Sequence, residues 1–216
     1  DVAVGADKRV IDVDNAYVSL NPSALKGLKL TAGVALYDFP LVFGDHVPLF
    51  QASYDFGPAS VTAAYIKIYE GALFRGSDDA EVLVLDLLFE PGEHKIRPGF
   101  FLYRSGKNAQ HESWVYKDSF GMIGALSLSF VFDAFSLEAS AAYAMGQDSG
   151  ASKKYAGYAL DFAPVYRIAE GVSVGAFFTL ISGDHPSTAG TDESFINATI
   201  SGQYSGINLW RFYILE

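Results

Sequence analysis

Hydrophobic and polar residues alternate along most of this chain with a period of two. In the segment 156–181, for example, Tyr158 and Leu160 alternate with Ala159 and Asp161. Successive side chains of a β-strand point to opposite faces, so this alternation predicts a β-hairpin with one apolar face, turning at residues 169–171. The other face carries small or charged residues. Such a strand suits a barrel wall with lipid outside and a water-filled lumen inside.

The same pattern recurs along the chain and predicts about a dozen strands. They are expected at residues 10–20, 28–39, 50–56, 60–70, 81–90, 94–104, 120–133, 135–146, 156–168, 172–181, 195–204 and 207–215. Tight turns are predicted at 21–27, 57–58, 91–92, 133–134, 169–171 and 205–206, and they alternate with longer connections, including one at 40–48. Short turns at one rim and longer loops at the other are typical of outer-membrane barrels.

We therefore expect an all-β fold, an antiparallel transmembrane β-barrel with about 12 strands in this sequence. Residues 1–216 are expected to form a single outer-membrane β-barrel domain. If the tight turns are periplasmic, the first strand runs toward the periplasm and the last runs away from it. We therefore expect further strands beyond one or both ends, in a barrel of about 14–18 strands. No signal segment opens the chain, so we expect a mature or trimmed product.

Charged residues on the lumen side are the candidate functional residues. In the strands 60–70 and 207–215 either face can be turned to lipid. A Lys or Arg on the lipid face near mid-membrane costs about 2–4 kcal/mol, so Lys67 and Arg211 are expected to face the lumen. With the alternation in the other strands, the predicted pore-lining charges are Asp12, Asp14, Lys29, Asp55, Lys67, Asp86, Lys95, Arg97, Glu138, Asp161, Arg167 and Arg211.

Two of these residues, Lys95 and Arg97, are two positions apart and share a face. Asp86 and Glu90 occupy the same face of the preceding strand, close enough for partial pairing. We expect such groups to form a constriction of mixed sign. Facing charges across a pore set ion selectivity, although cross-strand pairs that only neutralise one another are an open alternative.

Composition supports a membrane barrel and excludes several other classes. Half of the residues are hydrophobic and 15% are aromatic, yet no apolar run approaches the roughly 18 residues of a transmembrane helix. The net charge of −10 argues against nucleic-acid binding, which favours basic patches. Without cysteine the chain has no disulfides, no thiolate metal site and no cysteine nucleophile.

No catalytic or metal-binding motif stands out. The four histidines, His46, His94, His111 and His185, fall in predicted loops or at strand ends, and no GxSxG or HExxH motif occurs. Acidic loops at 76–79, 146–150 and 183–193 lack EF-hand spacing. We therefore predict no catalytic residues, no metal and no cofactor.

Three short motifs resemble a family of bacterial outer-membrane proteins. They are the sequence at 14–18 (DNAYV) followed by 27–33 (GLKLTAG), the sequence at 158–161 (YALD), and the sequence at 182–184 (SGD) with Pro186, Thr188 and Phe195. In these motifs the chain resembles the alginate-export-like porins and related porins. The resemblance implies a channel in the outer membrane of a Gram-negative bacterium, in a barrel of about sixteen to eighteen strands.

The expected function is an outer-membrane channel, a porin for passive diffusion of small hydrophilic solutes or ions, and not an enzyme. Its expected partners are the lipid bilayer with its lipopolysaccharide and small solutes, and no nucleic acid. Two alternatives remain open. One is a soluble β-sandwich that acts as a ligand-binding module, and the other is an outer-membrane barrel enzyme, a hydrolase.

Overall fold

The computed structural model describes residues 15–69, 80–106, 118–149, 152–183, 190–193, 195 and 209–215. The strands are β1 Ala16–Leu20, β2 Leu28–Phe39, β3 Phe43–Asp55, β4 Ala59–Tyr69, β5 Ala80–Phe89, β6 Lys95–Ser105, β7 Ser119–Phe132, β8 Phe135–Asp148, β9 Lys153–Ala169, β10 Val172–Ile181, β11 Thr191–Asp192 and β12 Leu209–Leu215. Within these ranges the structure has no helix long and apolar enough to cross a membrane.

All the strands belong to one sheet. Each strand from β1 to β10 pairs with the next along the chain, β12 pairs with β10, and the two-residue β11 pairs with β9. Every pairing along this path is antiparallel, and only β11 is parallel to its partner. The predicted all-β antiparallel fold is confirmed. Among the described residues, β1 and β12 are the two edges of the sheet.

Five of the short turns lie at one end of the strands, which we call the short-turn rim. They join β1 to β2, β3 to β4, β5 to β6, β7 to β8 and β9 to β10, as the sequence predicts. Residues 70–79 and 107–117, in the predicted long connections of the opposite rim, lie outside the described residues. So do the predicted turn at 205–206 and all but Phe195 of the predicted strand 195–204.

One predicted connection is wrong. Residues 40–48 do not form a long loop, because β3 begins at Phe43 and a three-residue turn joins it to β2. The Val42 amide donates to the Phe39 carbonyl at 3.1 Å, and Leu41 adopts a φ of 66° in that turn. Pro40 at the second position and a positive φ at the third are the features of a type II turn. As residue types, Asp45 and Pro48 favour a loop, but the segment that contains them belongs to β3 and pairs with β2.

The direction of the last strand also differs from the prediction. β12 pairs with β10 in antiparallel register, with Leu215 opposite Ser173 at the short-turn rim. The strand therefore runs toward that rim, whereas the sequence predicts that it runs away from it. A turn signal at 205–206 does not determine which strand neighbours β10, and this pairing decides the direction.

The two faces of the sheet differ strongly. Cross-strand partners share a face, so the register assigns every strand position to one of the two. One face, the apolar face, carries exposed side chains such as Leu83, Leu85 and Leu87, which are 53%, 50% and 48% exposed. Within the described parts of β4 to β10, the charged and amide side chains of this face are Lys67, Glu81, Arg104, Gln147 and Lys154.

These five residues and Phe120 form one continuous cross-strand row at the rim opposite the tight turns. The register pairs Lys67 with Glu81, Glu81 with Arg104, Arg104 with Phe120, Phe120 with Gln147, and Gln147 with Lys154. We call it the charged row. Every other position of the apolar face in these strands is aliphatic, aromatic, Met, Pro or Gly. The row therefore marks one border of the apolar face.

Candidate functional site

The end of the β2–β3 hairpin lies on the other face of the sheet, which we call the covered face. The pairing of β2 with β1 extends only to Val34, and the pairing of β3 with β4 begins only at Leu49. Among the described residues, positions 35–48 therefore pair only with one another. We call residues 35–48 the hairpin tip. Its buried side chains are Ala35, Tyr37, Phe39, Val42, Phe43 and Val47.

Aromatic packing joins the hairpin tip to the wall of the sheet. The rings of Phe39 and Phe101 meet edge to face, with centroids 5.1 Å apart. Gly99, on the same strand, makes room for this contact, because a Cβ there would lie 2.6 Å from Cε2 of Phe39. The buried residues of the tip and of β4 to β9 form a single hydrophobic cluster.

A buried carboxylate ties the hairpin tip to β5 and β6. Asp86 on β5 accepts a hydrogen bond from the Tyr37 hydroxyl at 2.8 Å and from Nη2 of Arg97 at 2.7 Å. Nη1 of Arg97 in turn donates to the Asp38 carbonyl at 2.9 Å. The guanidinium also lies 4.6 Å from the centre of the Phe39 ring. We call Tyr37, Asp86 and Arg97 the clamp.

The clamp shows how far the tip reaches across the sheet. β2 and β6 are four strands apart in the sheet order. Neighbouring strands are spaced by about 4.8 Å, so a flat sheet would hold them about 19 Å apart. The hydrogen bond between Arg97 and Asp38 therefore requires the tip to leave the plane of the sheet and cross the covered face.

A cavity of about 410 Å³ lies between the hairpin tip and the short-turn half of the covered face. The tip contributes Asp38 and Pro40, and the wall contributes the rest of the lining. The wall residues are Leu88, Lys95, Arg97, Ser127, Leu128, Ser129, Glu138, Ala139, Ser140, Asp161, Ala163 and Phe177. Charges of both signs and three serines thus surround the space below the tip.

The two cations of this cavity are paired. Nη2 of Arg97 lies 2.7 Å from Asp86, and Nζ of Lys95 lies 3.1 Å from Glu90. The expected pairing of these four residues across the β5–β6 turn is thus present in the structure.

The three carboxylates of the lining differ from the two cations, although Asp38 still lies within electrostatic reach of the Arg97 guanidinium. Asp38, Glu138 and Asp161 make no ion pair within the part of the chain that the structure describes, although Asp161 accepts a hydrogen bond from Thr179 at 2.7 Å. The surplus charge of the cavity is therefore negative.

The other predicted pore-lining residues are spread over the covered face. Lys29 lies opposite Ser53, away from the lining of the cavity. Asp55 accepts from the Gly57 amide at 2.7 Å, and Arg167 donates to the Asp133 carbonyl at 3.0 Å, so both serve the tight turns. The backbone register places Arg211 opposite Phe177, at a covered-face position. Asp12 and Asp14 lie outside the described residues.

The expected orientation of Lys67 toward the lumen is wrong. Lys67 pairs with Glu81, two residues along the strands from the pair of Tyr65 with Leu83. Since Leu83 lies on the apolar face, Lys67 and Glu81 lie on that face as well. The free-energy cost of a lipid-facing Lys, on which the prediction relied, applies near mid-membrane. Lys67 instead lies in the charged row, at the border of the apolar face, beside a carboxylate. With Lys67 turned to the lumen, Ala64 and Ile66 would face lipid, but both are buried on the covered face.

Sequence reasoning missed the hairpin tip, and with it Tyr37 and Asp38 as parts of the site. Buried residues alternate on both of its arms, with Tyr37 and Phe39 before the turn and Phe43 and Val47 after it. That alternation continues through the segment assigned to a loop. Together with a Pro40-containing turn, it was the signal for a hairpin buried on one side.

The described histidines and acidic residues do not assemble a metal site. His46 belongs to the hairpin tip, whereas His94 lies in the β5–β6 turn, with Nδ1 3.2 Å from the Val131 amide. Within the described ranges, no group of three or more His, Asp or Glu residues is arranged to hold a metal ion.

Comparisons with known proteins find likeness only among solved structures. No protein-family model matches the chain. No curated protein matches it either. Two similar structures are OmpT (in-vitro folded), an outer membrane protein of Vibrio cholerae, and outer-membrane expressed OmpT of Vibrio cholerae, each with 15% identity and a TM-score of 0.48. Each match covers 92% of this chain, which spans 61% and 62% of the respective solved chains.

Proposed function

We propose that this chain forms part of the wall of an outer-membrane β-barrel that acts as a passive channel, not as an enzyme, in a Gram-negative bacterium. The observation that carries the proposal is the composition of the apolar face. In the described parts of β4 to β10, every charge on that face falls in the one charged row. Lipid-facing strands of outer-membrane barrels have this composition, an apolar band with polar groups at its borders.

The height of the apolar face agrees with a membrane. Along β6, the face runs from Arg104 in the charged row to His94 in the turn at the other rim. That stretch is about 33 Å long at about 3.3 Å per residue. A strand tilted by about 40° then spans about 25 Å along the barrel axis, which is the height of the apolar band in such barrels. His94 packs there against the rings of Phe130 and Phe132, which form an aromatic border.

A soluble β-sandwich fits the same face poorly. Sandwiches bury their apolar faces between two packed sheets, whereas here one sheet carries all the strands that the structure describes. Phe50, Phe89, Phe120 and Tyr166 on the apolar face are 45–55% exposed. Soluble monomers rarely expose contiguous apolar patches above a few hundred Å².

The hairpin tip is the proposed constriction of the channel. It crosses the covered face and narrows the space beside the cavity at Asp38 and Arg97. Because Asp86 and Glu90 neutralise the two cations there, the unpaired Asp38, Glu138 and Asp161 give the constriction a net negative potential. We therefore propose that small hydrophilic solutes diffuse through it and that cations pass more readily than anions.

The test is conductance of the full-length natural protein, purified in detergent and added to planar lipid bilayers. Discrete steps of current, with a reversal potential that favours cations in a salt gradient, are expected. A protein that stays monomeric in buffer without detergent would overturn the barrel. Insertion into the bilayer without conductance would overturn the channel.

Charge reversal at Arg211 tests the sign of the lumen further from the clamp. Because its register places it on the covered face, the Arg211→Glu protein should insert normally, and its reversal potential should shift toward cations. Arg97 is less suitable for this purpose, because its reversal would also leave the buried Asp86 carboxylate without its ion-pair partner. Failed insertion of the Arg211→Glu protein would contradict its assignment to the lumen side.

A further inference from the structure

The charged row is unusual because the chain as a whole is acidic. The net charge of the sequence is −10, yet the row combines three cations, Lys67, Arg104 and Lys154, with one carboxylate, Glu81. Directly below it lies an uninterrupted apolar row, in which Leu83, Leu102, Met122, Met145 and Ala156 are consecutive cross-strand partners. Cationic groups and apolar surface therefore meet along one line of the sheet.

The positive charge of the row is accessible. The side chain of Arg104 is 70% exposed, and its contact with Glu81 is long, at 4.0 Å. Glu81 is held on its other side by the Tyr65 hydroxyl at 2.8 Å. The exposed Lys154 has no ion pair within the described ranges. Arg104 and Lys154 are three strands apart, so their Cα atoms are separated by about 14 Å.

The opposite border of the apolar face has a different character. The turns at the short-turn rim carry four carboxylates, Glu90, Glu93, Asp133 and Glu170, against one lysine, Lys26, and the border itself is aromatic near His94. An anionic headgroup would thus be attracted to one border of the apolar band and repelled by the turns near the other. This asymmetry matches a membrane whose two leaflets differ in charge.

We propose that the charged row binds the phosphate groups of lipopolysaccharide, with Arg104 and Lys154 as the phosphate ligands and the apolar face beneath them in contact with the acyl chains. The inference rests on the proposed membrane barrel, in which the rim opposite the tight turns faces outward. The outer leaflet there consists of this phosphorylated glycolipid. Arg and Lys are the side chains suited to phosphate, and Gln147 between them supplies a neutral donor.

The test measures binding of purified lipid A to the full-length protein, refolded free of lipopolysaccharide in a mild detergent, by native mass spectrometry. The test variant is Arg104→Gln with Lys154→Gln. A charge-matched control is Lys26→Gln with Arg167→Gln, which removes one lysine and one arginine at exposed positions near the short-turn rim. Each cation near an anionic lipid surface contributes about fivefold in affinity, so the test variant, which lacks two of them, should bind lipid A about 25-fold more weakly.

Three outcomes separate the possibilities. Wild-type affinity in the test variant, or an equal loss in the control, would overturn the assignment to the charged row. Equal binding of dephosphorylated lipid A would exclude phosphate as the recognised group, and equal binding of phosphatidylglycerol would overturn lipopolysaccharide as its source. Conductance of the same proteins is recorded in parallel. Lipid binding without conductance would refute the channel and leave the lipid site standing.

Discussion

Replacement of Asp86 by Asn tests whether charge or apolar packing holds the hairpin tip on the wall. The substitution keeps the shape of the side chain and removes its charge. The side chain of Asp86 is 5% exposed, and that of Arg97 is 26% exposed. Removing one partner of a buried ion pair costs about 3–5 kcal/mol. Because Arg97 keeps some contact with solvent, we expect a loss of about 3 kcal/mol in the free energy of unfolding.

The tip should nevertheless stay in place. It buries five large apolar side chains, Tyr37, Phe39, Val42, Phe43 and Val47. Each contributes about 1.5–3 kcal/mol, so together they contribute about 8–15 kcal/mol, more than the clamp loses. Single-channel conductance of the Asp86→Asn protein should therefore stay within about twofold of wild type. Its reversal potential should shift toward anions, because the guanidinium of Arg97 then lacks its counter-charge.

Glu138→Gln is the matched control, since it removes the same charge from an exposed residue of the same cavity. Its stability should change by less than about 0.5 kcal/mol, and its reversal potential should shift in the same direction. Urea unfolding in detergent micelles measures the first quantity, and a salt gradient across a planar bilayer measures the second. Equal stability of the two variants would refute the clamp. A large rise in the conductance of the Asp86→Asn protein would show that the ion pair, and not apolar packing, holds the tip.

Three further variants probe other parts of the structure. Gly99→Val should displace the packed ring of the hairpin tip and cost about 1–3 kcal/mol in urea unfolding; Gly124→Val, where a Cβ meets nothing within 4 Å, should be nearly neutral. Leu85→Arg should destabilise the barrel by about 2–4 kcal/mol and impair its insertion into vesicles. Ser140→Arg, on the covered face, should insert normally and lower conductance; equal insertion of both proteins would show that the faces are misassigned. Tyr37→Phe removes one hydroxyl from the clamp and should cost about 1 kcal/mol in unfolding with conductance unchanged; a loss as large as that of the Asp86→Asn protein would mean that the hydroxyl is the main tie.

Much of the wall was predictable from the sequence, because the two-residue period acts locally. Alternation along 81–90 and 94–104 is enough to assign Asp86 and Arg97 to one face and Leu85 and Phe100 to the other. The Pro91–Gly92 turn then makes these two strands neighbours. Since cross-strand partners must share a face, the pairing of Asp86 with Arg97 also followed from these two strands and the turn between them.

Only the tertiary structure decided what covers that wall. The contacts of Tyr37 with Asp86 and of Arg97 with Asp38 join residues 49 and 59 positions apart, and they arise because the hairpin tip leaves the sheet. Neither alternation nor turn signals encode where a strand stops pairing with its neighbour. Whether Lys67 could lie on the apolar face depended on its height in the sheet, which the alternation does not give. The direction of β12 depended on its pairing with β10. Periodicity reports on which side of its own strand a residue lies, whereas the position of that strand in space depends on contacts between distant parts of the chain.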